Sequence, residues 1–581
     1  MVKQKMIEVK ERTLDAFILV ILLLFGVYLS ILYYGHQMVP DPDFTDFVKT
    51  GRQLLSWQLP DSYKRAPVLG ILQVVLSNAV GGPYPELTAG WLLNAFILPL
   101  NLILLWLVGR KIVGWPAHWI ALIAIINPWM LEMAMQPIAE MLLLLCILVS
   151  FFAIFQRSRW AYLAASITTM VRYEGALLIF IVFVIDMLER KKVDSWYKPV
   201  FYAGLSSVPL CLWMLGTILN FQTQDSTHYL KEMGATSGGK ILWLEYLHLI
   251  WNLGVQHLFE TNVFAPTAIS KIAYNLNKGL SFLIFIYGIG YGLFKRNWNI
   301  LALTVFLSGY LLIHSWHGFV YFRFGVPVFW IVLLICVYGL INGWAWINRG
   351  NTIPEKAIYV LQGAALVLIT VWLFLLFLNV PETAYISRRS ISVPYVFGVV
   401  AALLFFSQTL LCRHRHWLKN ITITLLVILI GFSNHFWLVK TVKDGKQDLE
   451  FKLLAEWYKE NAKPGETMLS TMPSLIQIFA HASKDAFIPL GSISAENRDA
   501  FIEECYSKSI DYVVWDSRLG ARPDSRYGIL LNIKRIEALE KPRNNGPFVF
   551  IEQIRVSKNQ FVNIFRLKER SQSSRLTPAE N

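Results

Sequence analysis

Apolar runs of about 20 residues, separated by short polar loops, recur along most of the chain. Runs of this length are long enough to cross the hydrocarbon core of a bilayer as helices. We predict about thirteen spanning helices, at 15–34, 87–109, 114–130, 136–155, 160–171, 174–188, 198–220, 279–295, 299–314, 324–347, 357–379, 392–411 and 420–440. The pattern therefore predicts a polytopic α-helical membrane domain over residues 1–443.

The short basic loops give this topology a direction. With a cytoplasmic N-terminus, the inner loops carry basic clusters such as Arg110-Lys111 and Arg190-Lys191-Lys192, as the positive-inside rule requires. Arg388-Arg389, in an outer loop, is the exception. The topology places two large loops outside: 35–86, whose aromatic residues and prolines suit interfacial helices, and 221–278, whose tract 234–239 is a candidate mobile lid.

From about Asp444 the long apolar runs give way to shorter amphipathic segments. We predict two helices separated and followed by strands: Glu450–Asn461, then Thr467–Thr471, Glu496–Lys508, Tyr512–Trp515, Phe548–Ile554 and Phe561–Phe565. This order predicts a soluble extracytoplasmic α/β domain at 444–568. The polar tail at 569–581 is expected to be disordered.

The composition excludes a soluble protein of this size. The 581 residues are 55% hydrophobic, with a mean hydropathy of +0.46. The net charge of +14 does not indicate nucleic-acid binding, because many basic residues sit in short loops rather than on one folded domain. The five cysteines show neither metal-ligand nor disulfide spacing.

Acidic residues follow the first apolar run at Asp41-Pro42-Asp43. Pro42 suits the first position of a helix, Asp41 its N-cap and Asp43 its first turn. A carboxylate held at a membrane surface suits a general base. The alternative is that these acids only cap the helix.

Other charges stand where the bilayer should be apolar, and such residues are usually functional or paired. Glu140 begins the fourth span and could face Asp43, or it could be an ordinary first-turn acid. Arg172 and Glu174 lie at a turn between two short helices, where Gly175 permits the bend. These two side chains could pair with each other, or Arg172 could face an anionic ligand.

Basic residues on the outer side suggest a phosphate site. His314, His317 and Arg323 lie at the outer edge of the tenth span, and Lys64-Arg65 lies in the first outer loop. Guanidinium groups bind phosphate oxygens bidentately. Arg323 could instead be an interfacial arginine that extends to lipid head groups.

The order of these motifs resembles the GT-C superfamily of polytopic glycosyltransferases. The nearest branch holds the aminoarabinose transferase of lipid A and the protein O-mannosyltransferases. An acid opens the first outer loop in a D-x-x-x-(Y/F)-x-x-x-(A/G)-R pattern, matched here by Asp43, Phe47, Gly51 and Arg52. A basic-Pro segment follows, here Arg65-Ala66-Pro67-Val68 where the family has K-P-P-L.

Three later motifs also match that order: an acid early in the fourth span (Glu140), an R/K-x-x-G turn (Arg172–Gly175) and an R-x-x-x-P segment (Arg323–Pro327). The sequence departs from the family at Asp-Pro-Asp, where members have Asp-Glu, so Asp41 remains a rival to Asp43. It also departs at Phe47, where many members have Tyr.

The resemblance implies an inverting transfer of a sugar from a polyprenyl-phosphate carrier to an acceptor hydroxyl on the extracytoplasmic side. It implies that the catalytic residues are Asp43, Asp41 and Glu140, and that the carrier-phosphate ligands are Arg65, Lys64, Arg172, Arg323 and His317. The acceptor is a lipid, a protein or a polysaccharide, and the membrane a bacterial inner or plasma membrane. No cofactor is assigned, although some relatives use a divalent metal, which here would bridge Asp43 and Glu140. The alternatives are a flippase of lipid-linked sugars and a non-catalytic scaffold for glycan assembly.

Overall fold

The structure is a computed structural model, and it describes residues 2–189, 197–219, 242–254, 268–315, 320–350, 355–378, 388–412, 417–441, 445–493, 497–517, 519 and 537–568. The chain forms two compact units. The helical unit comprises Met1–His36, Phe47–Val80 and Glu86–Lys443. The C-terminal unit comprises Gln37–Asp46, Gly81–Pro85 and Asp444–Asn581.

The apolar runs form long helices in the first part of the chain. In order they are α1 (Val2–Tyr33), α2 (Asp43–Leu55), α3 (Pro67–Val80), α4 (Pro85–Val113), α5 (Ala117–Ile125), α6 (Pro128–Met135), α7 (Ala139–Phe155), α8 (Trp160–Val171), α9 (Ala176–Glu189), α10 (Tyr197–Leu219), α11 (Trp243–Gly254), α12 (Ala268–Phe294), α13 (Trp298–His314), α14 (Phe329–Gly350), α15 (Glu355–Leu378), α16 (Arg388–Cys412) and α17 (Trp417–Thr441).

Within the described part of the chain, five helices are long and apolar enough to cross a membrane. They are the segments Arg12–Tyr33, Pro85–Val113, Tyr197–Leu219, Asn275–Phe294 and Phe329–Trp346. The predicted span at 114–130 is instead two helices, α5 and α6, bent by 59° and counting as a sixth span if taken together. Asn127 explains this break, because its side chain accepts hydrogen bonds from the N–H groups of Trp129 and Met130 and so begins a new helix.

The predicted outer loop 221–278 contains helical structure in the residues that are described. Its described residues contain α11, whose Tyr246, Ile250 and Trp251 are buried. The tract 234–239, predicted as a mobile lid, lies outside the described residues.

Two glycines allow α2 and α3 to touch through their backbones. A Cβ added at Gly51 would lie 2.3 Å from the carbonyl oxygen of Gly70, and one at Gly70 would lie 1.9 Å from that of Phe47. No larger residue fits without moving a helix, so this crossing fixes the two helices of the first predicted outer loop against each other.

The C-terminal unit contains a mixed five-stranded sheet. Its further elements are α18 (Leu449–Asn461), β1 (Met468–Ser470), α19 (Pro473–Ala480), β2 (Phe487–Pro489), α20 (Arg498–Ser507), β3 (Tyr512–Asp516), β4 (Phe548–Ser557) and β5 (Gln560–Leu567). The strand order is β2-β1-β3-β5-β4. Strands β1, β2 and β3 are parallel, and β5 pairs antiparallel with both β3 and β4.

Alternation along β3 separates the two faces of this sheet. Val513 and Trp515 share a core with Phe501 and Cys505 of α20, while Tyr512 meets the Trp457 ring of α18 edge on at 5.4 Å. The predicted helices and four predicted strands of this region are therefore present. The prediction missed β2 and α19, which are only three and eight residues long.

Two short segments from the first predicted outer loop pack with this unit. The N–H of Met38 donates to the carbonyl of Gly445 at 3.3 Å. The Tyr84 ring stacks on His481 at 5.3 Å and meets Phe479 edge on at 5.1 Å. Asp41 and Asp43 belong to the first of these segments.

Candidate active site

Asp41 and Asp43 stand half-buried at the beginning of α2. Asp41 Oδ1 accepts a hydrogen bond from the N–H of Asp43 at 2.9 Å. Helix α2 begins at Asp43, one residue later than Pro42. The capping role predicted for Asp41 is present, and Asp43 lies in the first turn, where the helix dipole favours a carboxylate.

The basic pair Lys64-Arg65 lies half-buried between α2 and α3. The Arg65 guanidinium sits over the Phe47 ring, 5.5 Å from its centroid. Phe47 therefore supports a cation through its ring face at the position where many GT-C members have tyrosine.

Hydrogen bonds join this basic segment to the turn that carries Arg172. The Tyr173 hydroxyl donates to the backbone carbonyl of Tyr63, next to Lys64, and accepts from the Trp213 indole N–H at 2.9 Å. The rings of Tyr63 and Trp213 also meet, with centroids 4.7 Å apart. These contacts of Tyr63 connect the chain beside Lys64 and Arg65 to the turn that carries Arg172. The sequence interpretation missed this connection.

Arg172 is the centre of a buried cluster of charges. Its guanidinium contacts Glu140 at 2.9 Å and Glu174 at 3.1 Å. Glu174 also contacts His314 Nε2 at 3.1 Å, and Glu140 lies 3.7 Å from Arg323 Nε. The predicted pairing of Arg172 with Glu174 is confirmed, and the fold adds Glu140, His314 and Arg323.

The turn at Arg172 explains how this cluster is held. Helix α8 ends at Val171, a single 3₁₀ turn covers Tyr173–Gly175, and α9 begins at Ala176. A Cβ added at Gly175 would lie 2.5 Å from the backbone carbon of Thr168. The glycine is therefore required by close packing of the turn onto α8 rather than by a special backbone angle.

Aromatic rings enclose the cluster. Phe324 lies under both Arg172 and Arg323, at 5.0 and 5.3 Å, and stacks on His314 at 4.8 Å. The Tyr310 hydroxyl donates to the backbone carbonyl of Phe324 at 2.8 Å and so holds the backbone that carries this ring. The side chains of Glu140 and His314 are 3% and 0% exposed and those of Arg172 and Arg323 16% and 15%, and such low exposure strengthens the electrostatic interactions between the charges.

Two predictions fall outside this geometry. His317 lies outside the described residues, so its assignment stays a prediction. Where the structure describes the chain, no three His, Cys, Asp or Glu side chains form a metal-binding group. The metal between Asp43 and Glu140, and the expectation that these two residues face each other, stay predictions.

Solved structures with similar folds exist. The chain is similar to ArnT from Cupriavidus metallidurans bound to undecaprenyl phosphate, with a TM-score of 0.52 and 12% identity over 94% of this chain and 97% of that one. It is similar to the same protein in the apo state, with a TM-score of 0.51 and 11% identity over 96% and 98%. This chain has the GT-C fold.

The GT-C resemblance drawn from the sequence motifs is thus confirmed at the level of the fold, and the apolar helices agree with a multi-pass membrane protein. The archaeal oligosaccharyltransferase AglB from Archaeoglobus fulgidus, in complex with an inhibitory peptide and a dolichol-phosphate, gives a TM-score of 0.47 at 12% identity, covering 98% of this chain and 75% of that one. No protein-family model and no curated protein matches the sequence.

Proposed function

We propose that the protein is a membrane glycosyltransferase that moves a sugar from a polyprenyl-phosphate carrier to an acceptor hydroxyl. The observation that carries this proposal is the buried cluster of Arg172, Arg323, Glu140, Glu174 and His314 within a GT-C fold. Desolvated arginines are strong ligands for a phosphate that gains charge as a leaving group. The similar ArnT structure binds undecaprenyl phosphate, which supports a carrier of this class here.

The arginines of the cluster are the proposed phosphate ligands, together with Lys64, Arg65 and His317. Arg172 and Arg323 already contact carboxylates. A guanidinium has five N–H donors, so a phosphate oxygen can join a carboxylate on it or replace one. In this proposal Glu140 and Glu174 keep the guanidinium groups oriented before the carrier arrives.

Asp43 is the proposed general base. The half-buried Asp43 lies in the first turn of α2, and the family resemblance gives this role to the acid that opens the first outer loop. The acceptor oxygen attacks the anomeric carbon and loses its proton to Asp43. The bond from that carbon to the phosphate oxygen breaks, polyprenyl phosphate leaves with the electron pair, and the anomeric configuration inverts.

The proposed membrane topology is the one predicted from the sequence. It has about thirteen spans, a cytoplasmic N-terminus, and the C-terminal unit with the Asp43 segment on the extracytoplasmic side of a bacterial inner or plasma membrane. The acceptor is a lipid, a protein or a polysaccharide. Protease protection and cysteine labelling in sealed vesicles test the sidedness.

A transfer assay tests the reaction. Purified protein in detergent is given radiolabelled polyprenyl-phosphate sugars and a cell-envelope extract as acceptor, and labelled product is measured. Because general-base help is worth about 10²–10⁴ in rate, Asp43→Asn should lose activity by that factor. Asp41→Asn, as the matched control, should lose far less. Full activity of Asp43→Asn would move the base to Asp41 or Glu140.

Native mass spectrometry tests the carrier site separately. The wild type should retain undecaprenyl phosphate, and Arg323→Ala should lose it. Arg555→Ala is the control, because Arg555 also lies over an aromatic ring, Phe561 at 5.7 Å, but in the C-terminal unit. Absence of retention by the wild type would favour a flippase or a scaffold.

A further inference from the structure

The segment that leads into Glu140 interrupts the helices inside the apolar core. Helix α6 ends at Met135, the chain is extended at Gln136 and Ile138, and α7 begins at Ala139. The last carbonyls of a helix and those of an extended segment have no partner within a helix. In a membrane protein such backbone is tolerated only where other groups satisfy it.

Three buried amide side chains bind the carbonyls of this segment. Asn94 Nδ2 donates to the carbonyls of Ala134, at 3.2 Å, and Gln136, at 2.5 Å. Gln73 Nε2 donates to the carbonyl of Pro137 at 2.8 Å.

Asn101 Nδ2 donates to the carbonyl of Met141 at 3.1 Å, directly beyond Glu140. The amide residues Gln73, Asn94 and Asn101 are 0%, 2% and 0% exposed. We call these three residues the amide latch.

The latch binds carbonyls on both sides of the start of α7, from Ala134 to Met141. Glu140 is in the first turn of α7 and is 2% exposed. Its carboxylate contacts Arg172 at 2.9 Å and lies 3.7 Å from Arg323. A shift of the 134–141 backbone would therefore move the carboxylate that holds both arginines.

We propose that the amide latch positions Glu140, and through it Arg172 and Arg323, for the carrier phosphate. The latch residues are positioning residues, since their donors are engaged with backbone carbonyls rather than with the cluster itself. This proposal rests on the proposed function, because the arginines are its phosphate ligands. Asn94 and Asn101 are seven residues apart on α4, so they lie on one face of that helix. From this face Asn94 binds the chain before α7, and Asn101 binds the first turn of α7.

Two variants remove latch donors with little change of volume: Asn94→Leu and Gln73→Met. The matched control is Asn434→Leu, which also removes a buried amide, 1% exposed, but from α17. Hydrogen–deuterium exchange of a peptide covering 134–141 should become faster in both latch variants and stay at the wild-type rate in the control.

Transfer kinetics supply the second readout. Because small misplacements at a reacting centre cost on the order of 10- to 100-fold, kcat should fall by that factor in Asn94→Leu, with the acceptor KM unchanged. The thermal unfolding midpoint should also fall in Asn94→Leu, because two buried carbonyls lose their donor, so kcat is measured on folded protein well below that midpoint. If Asn94→Leu does not fold, Gln73→Met, which removes a single bond, carries the test.

The outcomes separate this proposal from the function it rests on. Unchanged exchange at 134–141 would overturn the latch whatever the enzyme does. Faster exchange with unchanged kcat would overturn its positioning role and leave it as a packing device. A wild type that transfers no sugar would overturn the proposed function, and the exchange rates would still report on the latch.

Discussion

The helical unit and the C-terminal unit both carry networks of charged side chains, but in different surroundings. In the helical unit the side chains of Arg172, Glu140 and Glu174 are 16%, 3% and 5% exposed. In the C-terminal unit Glu466 pairs with Arg566 at 2.7 Å, and their side chains are 11% and 46% exposed. Water screens the second pair, so it is worth little, whereas each partner of the first becomes costly once the other is removed.

In both units a buried amide side chain binds the carbonyls of irregular backbone. Asn94 binds two carbonyls before α7. Asn563, in β5, binds the carbonyls of Leu539 and Glu540 at 3.0 and 2.8 Å, and its oxygen accepts from Gln553 at 2.8 Å. The C-terminal unit also buries carboxylates, such as Glu450 and Asp516. The contrast between the Arg172 and Arg566 ion pairs therefore lies in how exposed each pair is, while irregular backbone is fixed in the same way in both units.

The largest expected effect is at the buried cluster. Arg172→Met removes the guanidinium that contacts two buried carboxylates, which should cost about 3–5 kcal/mol of the free energy of unfolding. Thermal unfolding in detergent measures it. A midpoint equal to that of the wild type would mean that water reaches the cluster and that the contrast between the units is wrong.

A smaller loss is expected at the amide of the C-terminal sheet. Asn563→Leu leaves two carbonyls without this donor, and an unsatisfied buried carbonyl costs about 1–3 kcal/mol. Hydrogen exchange of β5 and of 537–540 should become faster, while exchange in the helical unit stays the same. Equal exchange in the variant and the wild type would show that water replaces the amide.

The Glu466 pair should respond to pH. Burial raises the pKa of the Glu466 carboxyl, but the N–H of Lys463, the Tyr512 hydroxyl and Arg566 together outweigh it and lower the pKa below its ordinary value of 4.5. The stabilising contribution is therefore fully present above about pH 4.5 and is lost as the pH falls through the lowered pKa. Because Arg566 is half-exposed, it should not exceed about 1 kcal/mol.

Hydrogen exchange of β5, followed from pH 6 down to about pH 3 and corrected for the intrinsic exchange rate, measures this loss. Glu466→Gln should remove that part of the pH dependence. The same corrected pH dependence in variant and wild type would assign the acid sensitivity to other carboxylates.

The smallest effect is expected at an exposed pair of the helical unit. Arg52 pairs with Glu86, and its side chain is 60% exposed. Arg52→Met should change the unfolding free energy by less than about 1 kcal/mol. A loss as large as that of Arg172→Met would show that membership of the helical unit, rather than burial, sets the cost.

Local pattern predicted much of the C-terminal unit, because α18, α20 and the long strands carry clear periodicity. It failed for β2 and α19, which are too short for periodicity to distinguish. In the helical unit the span at 114–130 was predicted as one helix, because an apolar run does not show that Asn127 starts a second one. The polar amides Asn94 and Asn101 stood in an apolar run at helical spacing, and that signal was available but missed.

The sequence by itself determined the membrane character of the chain and the acid at the beginning of α2, and it left the pairing of Arg172 with its neighbour Glu174 as one of two alternatives. Each follows from residues close together in the chain, where hydropathy, capping and charge act locally. Only the tertiary structure brought Glu140, His314 and Arg323 to Arg172, because these residues come from different helices. The partners of the broken backbone before α7 were likewise set by packing, since a buried carbonyl can accept from any donor that the fold places beside it.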